Sequence, residues 1–116
     1  MNREADMEIT EETRGNARLF RLQGRLDSNT SPALEQRLAE ALSNGTRGVV
    51  IDFKHLDYIS SAGLRVILKT AKALKRDNGK LLLCCMQDYV KEVFEIAGFD
   101  SFLPILPSPE DALREI

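Results

Sequence analysis

The chain has 116 residues, with 16 Lys plus Arg against 18 Asp plus Glu and 43% apolar positions. That fits a single globular domain over residues 1–116 and excludes a disordered chain. A net charge of −2 lacks the concentrated Lys and Arg excess that nucleic acid or an anionic membrane requires. No apolar run reaches the roughly 18 residues of a spanning helix, and the opening MNREADMEITEE is acidic. The expectation is a cytoplasmic protein with no signal peptide and no membrane insertion.

Residues 1–6 carry no periodic pattern and are expected to be mobile. Two β-compatible runs follow, residues 7–14 and 17–26, separated by Gly15-Asn16, a dipeptide that tolerates the positive φ of a tight turn and so predicts a hairpin. In the second run Phe20, Leu22 and Gly24 share one face, with Leu19 and Arg21 on the other. Residues 27–30 are expected to be a mobile link. Ser31-Pro32 then supplies a capping hydroxyl and a first-turn proline, and Leu34, Leu38, Ala41 and Leu42 form one apolar stripe that ends at Asn44-Gly45.

Val49, Val50, Ile51 and Phe53 predict a short strand buried on both faces. After His55–Ile59, the segment Ser60-Ser61-Ala62-Gly63 opens a second helix. Its apolar positions are Leu64, Ile67, Leu68, Ala71 and Leu74, and it ends near Asn78-Gly79. Residues 80–85 predict another buried strand, and Val90, Val93, Phe94 and Ala97 a third helix stopped by Gly98. Phe102–Leu106 reads as a last strand, and Ser108-Pro109 starts a short terminal helix that uses Ala112, Leu113 and Ile116. Two strands followed by alternating helices and strands give an α/β fold whose sheet has parallel neighbours.

The catalytic inventory is thin. His55 has Asp52 and Asp57 near it in sequence, but no spacing brings a nucleophile and an oxyanion site to it. Neither GxGxxG nor GxxxxGK[ST] occurs. Adjacent Cys84 and Cys85 would point to opposite faces of a strand and read as core residues. With a single histidine, Cys and His alone cannot reach the usual ligand count of a zinc site. These observations predict a protein that is not an enzyme and uses no cofactor and no metal.

Chemistry instead concentrates at Tyr58-Ile59-Ser60-Ser61-Ala62-Gly63-Leu64, where two hydroxyls stand at the start of a helix. Ser there is an ordinary N-cap, and the same place is also where a phosphate is well tolerated, because free N–H groups and the positive dipole end meet it. Arg65, Lys69, Lys72 and Arg76 continue from these serines as one basic stripe. Such a stripe is either a solvated face or a steering surface for an acidic partner.

Gly24-Arg25-Leu26-Asp27, the run Asn29-Thr30-Ser31-Pro32-Ala33-Leu34, and Val50-Ile51-Asp52-Phe53 with Leu56 and Tyr58-Ile59-Ser60-Ser61-Ala62-Gly63-Leu64 together resemble the STAS domain of bacterial anti-sigma-factor antagonists, over about residues 7–116. The resemblance implies a mixed four-to-five-stranded sheet with about four flanking helices. It also implies a partner, a serine-kinase anti-sigma factor whose capture frees a sigma factor. Phosphorylation of a serine at the start of the second helix would end that capture, and a PP2C-type phosphatase would restore it.

The family's Asp-Ser-Ser/Thr-Gly pattern falls on Ser60-Ser61-Ala62-Gly63. Ser61 takes the first hydroxyl position, Ser60 replaces the aspartate and Ala62 stands at the second hydroxyl position. Ser61 is therefore the first candidate phosphoacceptor and Ser60 the second. Asp27, Asn29, Thr30, Ala62, Gly63, Leu64, Arg65 and Lys69 are the implied partner-binding residues. The alternative is a STAS module in lipid transport, transporter regulation or nucleotide sensing without phosphorylation.

Overall fold

The computed structural model describes residues 7–116, so the expectation for residues 1–6 lies outside the described residues. Strands β1 (Met7–Arg14) and β2 (Ala17–Leu26) form the antiparallel hairpin that Gly15-Asn16 announces, with Gly15 at φ 61°. Helix α1 (Ser31–Ser43), strand β3 (Gly48–Ile59), helix α2 (Ser61–Arg76) and strand β4 (Lys80–Cys84) follow. Helix α3 (Asp88–Ile96), a 3-10 turn at Phe99–Ser101, strand β5 (Ile105–Leu106) and helix α4 (Pro109–Arg114) complete the chain. The five strands lie in sequence order, with β2, β3, β4 and β5 mutually parallel.

Both faces of the sheet are covered. Phe20, Leu22, Val49, Ile51, Phe53, Leu81 and Leu83 pack with Leu34 and Leu38 of α1, Ile67 and Leu74 of α2, and Val90 and Phe94 of α3 in the main core. Leu19, Val50, Leu82 and Cys84 point the other way and meet Ala112 of α4. Alternating side chains on a pleated strand make this two-sided burial possible. The single turn and a half of α4 is the cover for its face, capped as its sequence announces: the Ser108 hydroxyl accepts the Asp111 N–H at 3.1 Å.

Several expectations change. The strand expected at residues 49–53 runs on to Ile59, because β2 continues to pair with it after β4 has stopped at Asp52. Ser31 does not cap α1. Thr30 holds the N-cap position, and the Ser31 hydroxyl donates instead to the Asp27 carbonyl at 2.6 Å. Of the strand expected at residues 102–106 only Ile105–Leu106 pairs, since Phe102 follows the 3-10 turn and stays exposed. Cys85 leaves β4 at φ 62°, so the two cysteines do not alternate across a strand.

Candidate functional site

The C-terminal ends of β2 and β3 are neighbours, with Leu26 opposite Ile59. Each strand runs into a turn that starts a helix, and the Ser60 N–H donates to the Leu26 carbonyl at 2.9 Å, which fixes the two turns side by side. Ligand and partner sites of parallel sheets gather at such strand ends.

The β2–α1 turn is tightly bonded. Thr30 is buried, and its hydroxyl donates to the Arg25 carbonyl at 2.8 Å while accepting the Asp27 N–H at 2.9 Å. One Asp27 carboxylate oxygen accepts the N–H groups of Asn29 at 2.9 Å and Thr30 at 3.1 Å. Burial pushes the Asp27 carboxyl up, but these N–H bonds, the Thr30 hydroxyl and the nearby Arg25 outweigh it and hold it below the usual range. The segment expected to be mobile is thus an Asx-type turn closed on both sides.

The β3–α2 turn is lightly bonded. Ser60, in extended backbone at φ −99°, is the N-cap of α2, and its hydroxyl accepts the Gly63 N–H at 3.4 Å. Ser61 is the first helical residue and is exposed, while Ala62 and Leu64 are half-buried. Gly63 is buried, and a Cβ on it would stand 2.8 Å from Leu26 Cγ and 3.0 Å from Ile59 Cγ1. This glycine lets the start of α2 lie directly on the strand ends.

Arg65 and Lys69 of α2 face α1 across a groove of about 350 Å³ that Ser28, Ser31, Pro32, Glu35, Ala62 and Val66 complete. Lys69 Nζ lies 2.5 Å from a Glu35 carboxylate oxygen, so part of the basic stripe is balanced within the chain. The structure brings Asp27, Asn29 and Thr30 into one turn, Ser60 to Leu64 into the other, and Arg65 and Lys69 onto the groove between α1 and α2. Leu64 is half-buried and packs against the main core.

Sequence reasoning missed the pairing of Arg25 with Tyr58. The Arg25 guanidinium stacks 4.3 Å from the Tyr58 ring centroid, and its Nε lies 3.7 Å from Asp27. Both residues are exposed, a pairing of the kind that anchors protein interfaces. No pattern announced it, because two register shifts between β2 and β3, one of them at Gly24 with φ 109°, bring Arg25 opposite Tyr58.

A second polar cluster lies on the α4 face. Asp52 is buried and accepts the Lys54 N–H at 2.9 Å. Its carboxylate and the sulfurs of Cys84 and Cys85 lie within 4.8 Å of one another. Burial, then the neighbouring sulfur and Asp52, pushes the Cys84 thiol far up, and burial followed by Asp52 raises Cys85. No helix of the described residues is long and apolar enough to cross a membrane.

The sequence profile of the STAS domain matches residues 8–112. BtrV of Bordetella bronchiseptica, a protein named as a proposed anti-sigma factor antagonist, is 50% identical over 91 residues, 78% of each chain. The anti-sigma factor antagonist SpoIIAA in its unphosphorylated form superposes with a TM-score of 0.82 at 21% identity, covering 94% of this chain and 98% of that one. SpoIIAA from Bacillus in its phosphorylated form gives 0.75 at 19% identity, over 93% and 98% of the two chains.

Proposed function

The chain belongs to the STAS domain family, and from that premise we propose that it is an anti-sigma-factor antagonist switched by serine phosphorylation. It binds a serine-kinase anti-sigma factor and so frees a sigma factor. Its own part is binding, not catalysis. The observation that carries this reading is Ser61: an exposed hydroxyl on the first residue of α2, beside a turn closed by its own hydrogen bonds and a groove edged by Arg65.

The physics of the switch follows from that position. A phosphate brings about −1.5 to −2 charge to a helix N-terminus, which favours an anion by about 0.3–1 kcal/mol. Arg65 lies four residues after Ser61, the spacing at which opposite charges on a helix attract. The free domain therefore tolerates the modification. In a desolvated interface beside carboxylates the same charge costs several kcal/mol, so the complex fails while the fold stands. The partner kinase transfers the phosphoryl group from ATP to the serine oxygen, releasing ADP, and a PP2C-type phosphatase hydrolyses the ester.

Phosphopeptide mapping of the protein from its native cells, before and after PP2C-type phosphatase treatment, tests this reading. Phosphate on Ser61, or secondarily on Ser60, that the phosphatase removes is the expected result. Neither serine modified under any growth or stress condition would turn the assignment toward a STAS module in transport or ligand sensing.

A further inference from the structure

On the face of the sheet remote from the main core, α4 leaves a cleft of about 510 Å³ whose lining includes Arg21, Asp52, His55, Cys85 and Pro107. Phosphoserine signalling at the other face uses none of these groups. Cys84 follows the strand and points to this side with Leu19, Val50 and Leu82. Cys85 would face away if the strand continued, because successive side chains alternate. It turns at φ 62°, a conformation uncommon for any residue but glycine, and its sulfur comes to the same side as that of Cys84, where it donates to the Pro107 carbonyl at 3.4 Å.

Asp52 completes the set from the adjacent strand, since it pairs in register with Cys84. One of its oxygens takes the Lys54 N–H. The other forms an ion pair with Arg21 Nε at 3.6 Å, and Arg21 is shared with Glu12 at 2.6 Å.

From this juxtaposition we propose that Cys84, Cys85 and Asp52 bind a thiophilic divalent cation of the zinc and cadmium class, with the cleft giving the open fourth position. Two sulfurs select such ions over magnesium or calcium. Tetrahedral coordination at Zn–S distances of about 2.3 Å separates two sulfurs by about 3.8 Å, and the three donor atoms already lie within 4.8 Å of one another. Binding breaks two S–H bonds and forms two metal–sulfur bonds, with both protons leaving to solvent and the carboxylate adding an oxygen ligand. The bound ion would tie β3, β4 and the turn before α3 together.

The test is titration of the reduced, metal-free full chain with Cd2+, followed by thiolate-to-metal charge-transfer absorption in the ultraviolet and by the melting temperature. One equivalent should saturate the absorption, and melting should rise with free Cd2+ as it does for any ligand that binds only the native state. Cys85→Ser should lower the affinity about tenfold or more and weaken the band. Asp52→Asn should keep the band and lower the affinity to a similar degree. Cys85 is half-exposed, so that variant keeps the test alive if Asp52→Asn folds poorly. No charge-transfer band at equimolar Cd2+, or a band of unchanged affinity in Cys85→Ser, would overturn the proposal.

Discussion

The two turns at the ends of β2 and β3 sit side by side and open neighbouring helices, yet they are built in opposite ways. Asp27 to Thr30 closes on itself through the Thr30 hydroxyl and the Asp27 carboxylate, in four bonds of 2.8–3.1 Å to backbone groups of the turn and of Arg25. Ser60 is held through its backbone, its N–H donating to the Leu26 carbonyl at 2.9 Å and its carbonyl accepting the Leu64 N–H at 3.0 Å, while its hydroxyl makes one long cap of 3.4 Å. A turn made of mutually satisfied groups has little freedom to accept new chemistry, whereas an exposed first-turn hydroxyl can be modified without breaking anything the fold depends on. In the proposed function the first turn is the fixed reference surface, and the second the part whose charge changes.

The largest expected effect breaks binding and spares the fold. Ser61→Asp should lower affinity for the kinase partner a few hundred-fold, about 3–4 kcal/mol, for a charge placed in a desolvated interface. Its melting temperature should stay close to that of the parent chain. Calorimetric binding beside a thermal melt reads both quantities. Equal affinity for variant and parent would remove Ser61 from the interface, and a large loss of stability would mean that the second turn is as structural as the first.

Thr30→Val reverses the pattern. It keeps the shape and deletes a buried hydroxyl that satisfies both the Arg25 carbonyl and the Asp27 N–H, at a cost of about 1–3 kcal/mol. Denaturant unfolding should show the loss as a lower midpoint with an unchanged slope. The partner Asp27 adds a pH signature. Its folded carboxyl is held below the usual value of about 3.9, so the stability it contributes is complete above that value and is lost as pH falls through the lower, folded one. Asp27→Asn should therefore flatten the acid limb of the stability curve. An acid limb identical to that of the parent chain would show that this carboxylate is not held as the geometry implies.

Much of this arrangement was legible in the residues, for local reasons. Gly15-Asn16, Ser60 before an apolar helical stripe and Ser108-Pro109 all act within a few residues, and each does in the structure what its chemistry predicts. What escaped depends on distant neighbours. Residues 54–58 are polar apart from Leu56 and look like loop, because beyond Asp52 β3 has lost β4 and solvent covers most of its side chains. Thr30 replaced Ser31 as the N-cap because the Ser31 hydroxyl found the Asp27 carbonyl. Arg25 over Tyr58 needs two register shifts that no alternation pattern encodes. The serine turn was visible from sequence as a helix start, while the rigidity of the Asp27 turn was not, since residues 27–30 carry the composition of an ordinary loop.

The smallest expected effect is the sharpest check on the contrast. Ser60→Ala removes the only side-chain cap of α2, a change that costs about 0.5–2 kcal/mol at an N-cap in general. Here the bond to the Gly63 N–H is 3.4 Å, at the weak end of hydrogen-bond geometry, so the loss should fall near the bottom of that range. The backbone bond from Ser60 N–H to Leu26 survives the substitution, and so does the close approach of Gly63 to Leu26. If chemical denaturation finds Ser60→Ala as damaging as Thr30→Val, the two turns are equally structural. A modification at Ser61 would then have to act by loosening α2, and the separation of fold from charge that the switch relies on would be lost.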